Sequence, residues 1–113
     1  MFNRRELLFL QDILESVNAI FEFTQLLSLE EFSNNRLVYS ATIREFEIIG
    51  EATMHLSSET LEKYNEIVWR DLKDFRNLLI HEYFGVDSEI VYNTIQNDLP
   101  LLKKVVLQII KEL

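Results

Sequence analysis

Residues 7 to 21 read Leu7-Leu8-Phe9-Leu10-Gln11-Asp12-Ile13-Leu14-Glu15-Ser16-Val17-Asn18-Ala19-Ile20-Phe21, with apolar side chains at 7, 10, 14, 17 and 21. Steps of three and four are the period of one helix face, not the alternation of a strand. Ile13, Ile20 and Leu27 widen that face, as expected of a helix packed in a bundle. The same stepping returns at Leu99, Leu102, Val106, Ile109 and Leu113. Two glycines and one proline in 113 residues leave little material for the turns of a strand-rich protein.

Between these ends the punctuation is also helical. Ser28-Leu29-Glu30-Glu31 offers a capping box, in which Ser28 and Glu31 satisfy each other's free amides. A second long helix is expected from about Leu29 or Asn35 to Leu56, with Tyr39, Ile43, Phe46 and Ile49 inward and Gly50 suited to a close helix approach. Ser57-Ser58-Glu59 marks a break and a short helix near Leu61. Trp69 to Phe84 reads as a third main helix, ended by Gly85, with Asp87 or Ser88 capping the next. Asp98-Leu99-Pro100 marks the last start, proline being tolerated in a first turn. The expected architecture is all-α: an antiparallel up-and-down bundle of four main helices with one or two short extra helices, in a single domain spanning 1–113.

Composition narrows the function. With no cysteine there is no disulfide framework and no thiolate metal site. Only two histidines are present; Glu51 and His55, four apart, are the nearest approach to a ligand pair, and no metal or cofactor is expected. The start, Met1-Phe2-Asn3-Arg4-Arg5-Glu6, lacks a small-residue cleavage site, and no apolar run approaches the roughly 18 residues of a membrane span. A soluble, cytoplasmic protein is expected. The net charge of -8 argues against a general duplex binder, and no DNA partner is expected. Any RNA chemistry must use a local positive pocket; acidity otherwise suits a basic protein partner, or simply solubility.

Such a pocket is written in Arg76-Asn77-Leu78-Leu79-Ile80-His81-Glu82-Tyr83. At about 100° per residue, Arg70, Lys73, Arg76, Asn77 and His81 share an arc of about 140°, and Tyr83 lies about 20° from Arg76. Glu66 falls inside that arc and Asp74 at its edge, while Val68, Leu72, Phe75 and Leu79 should face the core. Ordinary amphipathicity accounts for a basic arc on a helix, and a lone helical histidine is more often structural than catalytic. The chemistry the pattern allows is more specific. Arg76 can grip non-bridging phosphate oxygens while charge builds. His81 can act as general base or acid, and Asn77 can orient the imidazole or bind phosphate. In RNA a 2′-hydroxyl then attacks its own phosphate, leaving a 2′,3′-cyclic phosphate. One imidazole cannot easily serve both sides of the phosphorus, so a homodimer would supply the second. Trp69 and Phe84 can stack bases, although aromatics at helical spacing usually belong to the core.

The stretch from Arg76 to Asp87 resembles the signature of HEPN-superfamily proteins, most of all the HepT-like toxins paired with minimal nucleotidyltransferase antitoxins. Ile48-Ile49-Gly50-Glu51-Ala52 resembles that family's glycine-glutamate-alanine element, Ile67-Val68-Trp69-Arg70-Asp71-Leu72 its lead-in, and Leu99-Pro100-Leu101-Leu102 its last-helix start. The likeness runs over roughly residues 4 to 113. It implies a HEPN fold and a toxin ribonuclease that cleaves single-stranded RNA without metal at a composite dimer interface. Arg76 and His81 would be catalytic, with Asn77, Lys73 and Glu51 in support. It further implies that a nucleotidyltransferase antitoxin silences the toxin by adding AMP to Tyr83, a residue otherwise read as a half-buried phenol at a helix end. The alternative is a non-catalytic partner subunit that presents substrate or nucleotide to a nucleotidyltransferase. A third reading is a structural dimer in which Arg76 pairs with an acidic neighbour.

Overall fold

Ser28 Oγ accepts from the Glu31 amide at 3.1 Å while the Glu31 carboxylate accepts from the Ser28 amide at 3.0 Å, so the expected capping box forms. In the computed structural model, which describes residues 4–82 and 86–113, this box opens α2 (Leu29–Asn34), the successor of α1 (Arg4–Thr24). One residue then interrupts the helix. Asn35 is extended, and its side chain accepts from the Val38 amide at 3.0 Å to cap α3 (Arg36–Thr53). Both candidate starts of the second long helix are therefore used, for separate helices. Ser57 caps α4 (Ser58–Lys63), and Asp87 caps α6 (Ser88–Asn97) by accepting from Glu89. Between them lies α5 (Trp69–His81); α7 (Leu99–Glu112) follows, with Pro100 in its first turn.

The described residues thus form seven helices and no strand, an all-α fold as expected. Three short helices accompany the four long ones, where one or two were expected, because Asn35 cuts α2 from α3. The third main helix also ends earlier than Phe84. It stops at His81, where the Glu82 amide donates to the Leu78 carbonyl and Glu82 leaves helical geometry. The expected stop at Gly85, with Tyr83 and Phe84 before it, lies outside the described residues.

The helices α1 and α3 run antiparallel. The start of α1 meets the end of α3, with Phe9 stacked on His55 at 4.4 Å and Glu6 accepting from the Ser57 amide at 2.8 Å. Phe46 of α3 meets Phe75 of α5 edge-on at 5.1 Å, while Gly50 lies against Leu72 and Arg76. α7 packs on the other side of α1, and α6 bridges α2 to α7. Tyr92 closes that bridge by donating to the Leu27 carbonyl at 2.9 Å.

The faces read from the period supply the core. Leu10, Ile13, Val17 and Ile20 of α1 are buried against Ile43 and Ile49 of α3 and Leu102, Val106 and Ile109 of α7. Leu7, Leu14 and Phe21 are half-buried, and Leu72 and Phe75 of α5 are likewise only partly covered. Val68 is a correction: it was expected in the core and is 63% exposed. It precedes the first turn of α5 with non-helical backbone angles, so the helical register does not reach it. Trp69 is buried and donates from Nε1 to the Tyr64 carbonyl at 3.0 Å, which makes it a structural anchor and not a stacking platform for bases. Among the described residues no helix is long and apolar enough to cross a membrane.

The end of α7 is fastened to α4 by a hydrogen bond from the buried Tyr64 phenol to the Glu112 carboxylate. Donating to that carboxylate, then burial, then the nearby negative charge push the Tyr64 phenol up to about 12. Accepting the same bond, and then one from Gln108, holds the Glu112 carboxyl below its usual range. A raised phenol stabilises the fold below its ordinary value of 10.0, and the contribution is lost as pH climbs through about 12. A lowered carboxyl stabilises above its ordinary value of 4.5, and that part is lost as pH falls through the folded-state value. Tyr64→Phe is therefore expected to lower the urea midpoint, followed by circular dichroism, across roughly pH 6–9, with the gap to wild type closing below roughly pH 4. A gap that does not change with pH would show that the hydroxyl is not coupled to Glu112.

Candidate active site

A side chain at Gly50 would put its Cβ 2.3 Å from the Cβ of Arg76 and 3.0 Å from the Leu72 carbonyl oxygen. Only a bare Cα lets α3 and α5 come this close. The next residue on α3, Glu51, is thereby brought beside Arg76, and its Oε2 accepts from Arg76 Nη2 at 3.0 Å. Asn77 Oδ1 accepts from Arg76 Nη1 at 2.9 Å. Two anchors from two helices therefore hold one guanidinium, and the rest of its N–H fork is left for an oxyanion.

The energetics of this clamp concern orientation more than stability. The Arg76 side chain is 27% exposed and that of Glu51 52%, so water screens the pair. A pair of that kind contributes about 0.2–1 kcal/mol to stability. Its larger effect is to remove rotamer freedom from a long side chain before any ligand arrives, an ordering cost that binding would otherwise carry. Glu51 is itself shared. His55 Nε2 lies 3.7 Å from its Oε1, and the His55 ring is held nearly parallel to Phe9, at an interplanar angle of 10°.

The other members of the basic arc are distributed less tightly. Arg70 Nε lies 3.7 Å from Asp74 Oδ2, so that pair is self-contained. Lys73 and His81 are exposed, with neither a hydrogen bond nor an ion pair among the described residues. Asn77 was free in the sequence to serve His81 or a phosphate; here its oxygen serves Arg76. His81 closes α5, one turn beyond Asn77. Tyr83, the expected modification site, lies outside the described residues.

One feature has no signal in the linear sequence. A cavity opens beside Arg76 where α1, α3 and α5 meet, and Phe9 and Asp12 line it together with Ile48, Glu51 and Ile80. Packing of α1 across α3 brings Asp12 here, and no spacing rule links it to residue 76. Among the described residues no three His, Asp or Glu side chains group as a metal site.

An all-α protein with a clamped arginine and an exposed histidine on one helix is a scaffold for anion chemistry. Comparison with known proteins gives this class a family. The Ribonuclease HepT-like family matches residues 13–109. A Methanocaldococcus jannaschii protein named "Putative RNase MJ1380" is 42% identical over 96 residues, 85% of this chain and 88% of that protein. "Probable ribonuclease HepT" of Thermococcus cleftensis is 39% identical over 95 residues, 84% and 86% of the two chains. A third relative, "Gamma-glutamylcyclotransferase and putative RNase MJ0434" of M. jannaschii, is 40% identical over 106 residues, 94% of this chain but 48% of that longer protein. No solved structure matches. The chain belongs to the HepT-like ribonuclease family.

Gly50→Ala tests the close approach. Alanine gains up to about 1 kcal/mol of helix propensity, whereas forcing a methyl against Arg76 Cβ and a backbone carbonyl costs about 1–3 kcal/mol or more. A net loss of about 1–2 kcal/mol in urea unfolding is expected. A variant as stable as wild type would mean that α3 and α5 can separate without penalty.

Proposed function

We propose that this protein is a metal-independent endoribonuclease whose site is completed by a second copy of the chain. The observation that carries the reading is the clamped Arg76, oriented by Gly50, Glu51 and Asn77 with His81 exposed on the same helix. Membership of the HepT-like ribonuclease family supports it. In the proposed reaction His81 of one copy takes the proton of an RNA 2′-hydroxyl. The 2′-oxygen forms a bond to the adjacent phosphorus, and the bond from phosphorus to the 5′-oxygen breaks. The imidazolium of the other copy gives that oxygen its proton, leaving a 2′,3′-cyclic phosphate and a 5′-hydroxyl. Arg76 neutralises charge on the non-bridging oxygens as it builds. Lys73, exposed on the same arc, extends the positive surface toward the flanking phosphate.

The second copy has physical motivation. Ile80 falls by helical period inside the polar arc and Leu78 about 60° beyond its edge, and both are 42% exposed. Apolar side chains at a basic face suit a two-fold contact that buries them while bringing both arcs to one strand of RNA. Within the same reading, the chain is the toxin of a toxin–antitoxin pair. A nucleotidyltransferase antitoxin silences it by adding AMP to Tyr83, placing a phosphate and a bulky nucleoside beside the arc. A second reading draws on the Arg76–Glu51 pair and the net charge of -8, which weaken the field at the anion site. In it the chain is a non-catalytic subunit presenting substrate or nucleotide to a nucleotidyltransferase.

The test is cleavage of single-stranded RNA in EDTA, with Tyr83 shown unmodified by mass spectrometry. Wild type is expected to leave cyclic phosphate ends. His81→Ala should lose about 10²–10⁴-fold and Arg76→Ala about 10²–10³-fold. A 2′-deoxy residue at the cut should block the reaction. A folded, unmodified dimer that leaves RNA intact would move the assignment to the presenting subunit.

A further inference from the structure

The cavity beside Arg76 is lined by charges of both signs, but they are not equally engaged. Arg76 faces Glu51 at 3.0 Å, and Arg44 Nη1 lies 3.8 Å from Glu47 Oε2, so each arginine on the wall already has its carboxylate. Asp12, exposed on α1 and on the same wall, has no cation and no hydrogen-bond donor among the described residues. Between these polar groups the lining is apolar, from Phe9, Ile48 and Ile80. A slot with apolar walls, a free carboxylate and an oriented guanidinium fits a nucleotide. The aliphatic walls, Ile48 and Ile80, pack against a base, the carboxylate accepts from an amine edge, and the guanidinium holds the adjoining phosphate.

We propose that this cavity is a base subsite, and that Asp12 makes it select bases carrying an exocyclic amine, guanine first, over uracil. The inference rests on the ribonuclease reading, because it takes Arg76 as the phosphate anchor. The ranking follows from the edges of the bases. Guanine offers a ring N–H and an amine side by side, matching the two oxygens of one carboxylate. Adenine and cytosine each offer an amine. Uracil offers one N–H flanked by two carbonyl oxygens, which a carboxylate repels. Glu47 and Glu51 each already have one oxygen facing an arginine, at 3.8 and 3.0 Å, which Asp12 does not.

Binding measures the subsite without requiring turnover. The full chain, as it assembles in solution, is titrated by calorimetry with the 3′- and 5′-monophosphates of guanosine, adenosine, cytidine and uridine, and with inorganic phosphate. Guanosine monophosphate is expected to bind at least about ten-fold more tightly than uridine monophosphate, the scale of one good carboxylate–base contact. Asp12→Asn should bring the two within about two-fold, by weakening guanosine and relieving the repulsion of uridine, and should weaken adenosine and cytidine as well. Ile48→Trp, which fills the slot, should weaken all four nucleotides and leave inorganic phosphate unchanged; circular dichroism checks that both variants fold. Equal binding of the four bases, or a preference that survives Asp12→Asn, overturns the subsite. So does binding of a lysine-rich peptide in place of any nucleotide, which would make the cavity a protein contact. Cleavage without base preference would sink the subsite alone, whereas base-selective binding without cleavage would sink the nuclease reading and keep the subsite.

Discussion

Where α3 meets α5, the missing side chain at Gly50 sets how near Arg76 can come, and most of the candidate site follows from that separation. A single methyl there would meet Arg76 Cβ at 2.3 Å and the Leu72 carbonyl oxygen at 3.0 Å, so the two helices could not keep this spacing. Apolar contacts hold the two helices together beside it. Phe46 against Phe75 and the fully buried Leu79 fix α5 on the core. One glycine thus does for orientation what several polar contacts would otherwise have to do.

Helix starts were legible because capping is local chemistry. Ser28 with Glu31, Asn35, Ser57 and Asp87 each satisfy amides within three residues, so a spacing of side chains in the sequence is enough to place them. The buried faces of α1 and α7 were legible for the related reason that a helical period repeats over many residues. Val68 was misplaced where that logic ended, since an angular argument holds only inside the helix. The number of short helices was missed because a one-residue break at Asn35 leaves the apolar pattern on either side intact.

The candidate site was legible to a different depth. The arc of Arg70, Lys73, Arg76, Asn77 and His81 follows from the period, and Glu51 was named as a support through its Gly-Glu-Ala neighbourhood. What Asn77 does was left open by the sequence, because either a phosphate or an imidazole lay within reach; in the fold its oxygen accepts from Arg76. Phe9, Asp12 and Arg44 were not legible at all. They meet Arg76 only through the crossing of three helices, and contacts of that range leave no mark on local spacing.

Trp69 is the only tryptophan of the chain, and it is buried at the start of α5 with its indole N–H on the Tyr64 carbonyl. Arg76 stands seven residues further along the same helix, about two turns or roughly 10 Å away. A molecule that settles on the guanidinium without disturbing α5 therefore makes no direct contact with the indole. A change in tryptophan emission thus reports first on the start of α5 and its hold on Tyr64, two turns away from the arginine that would take a ligand.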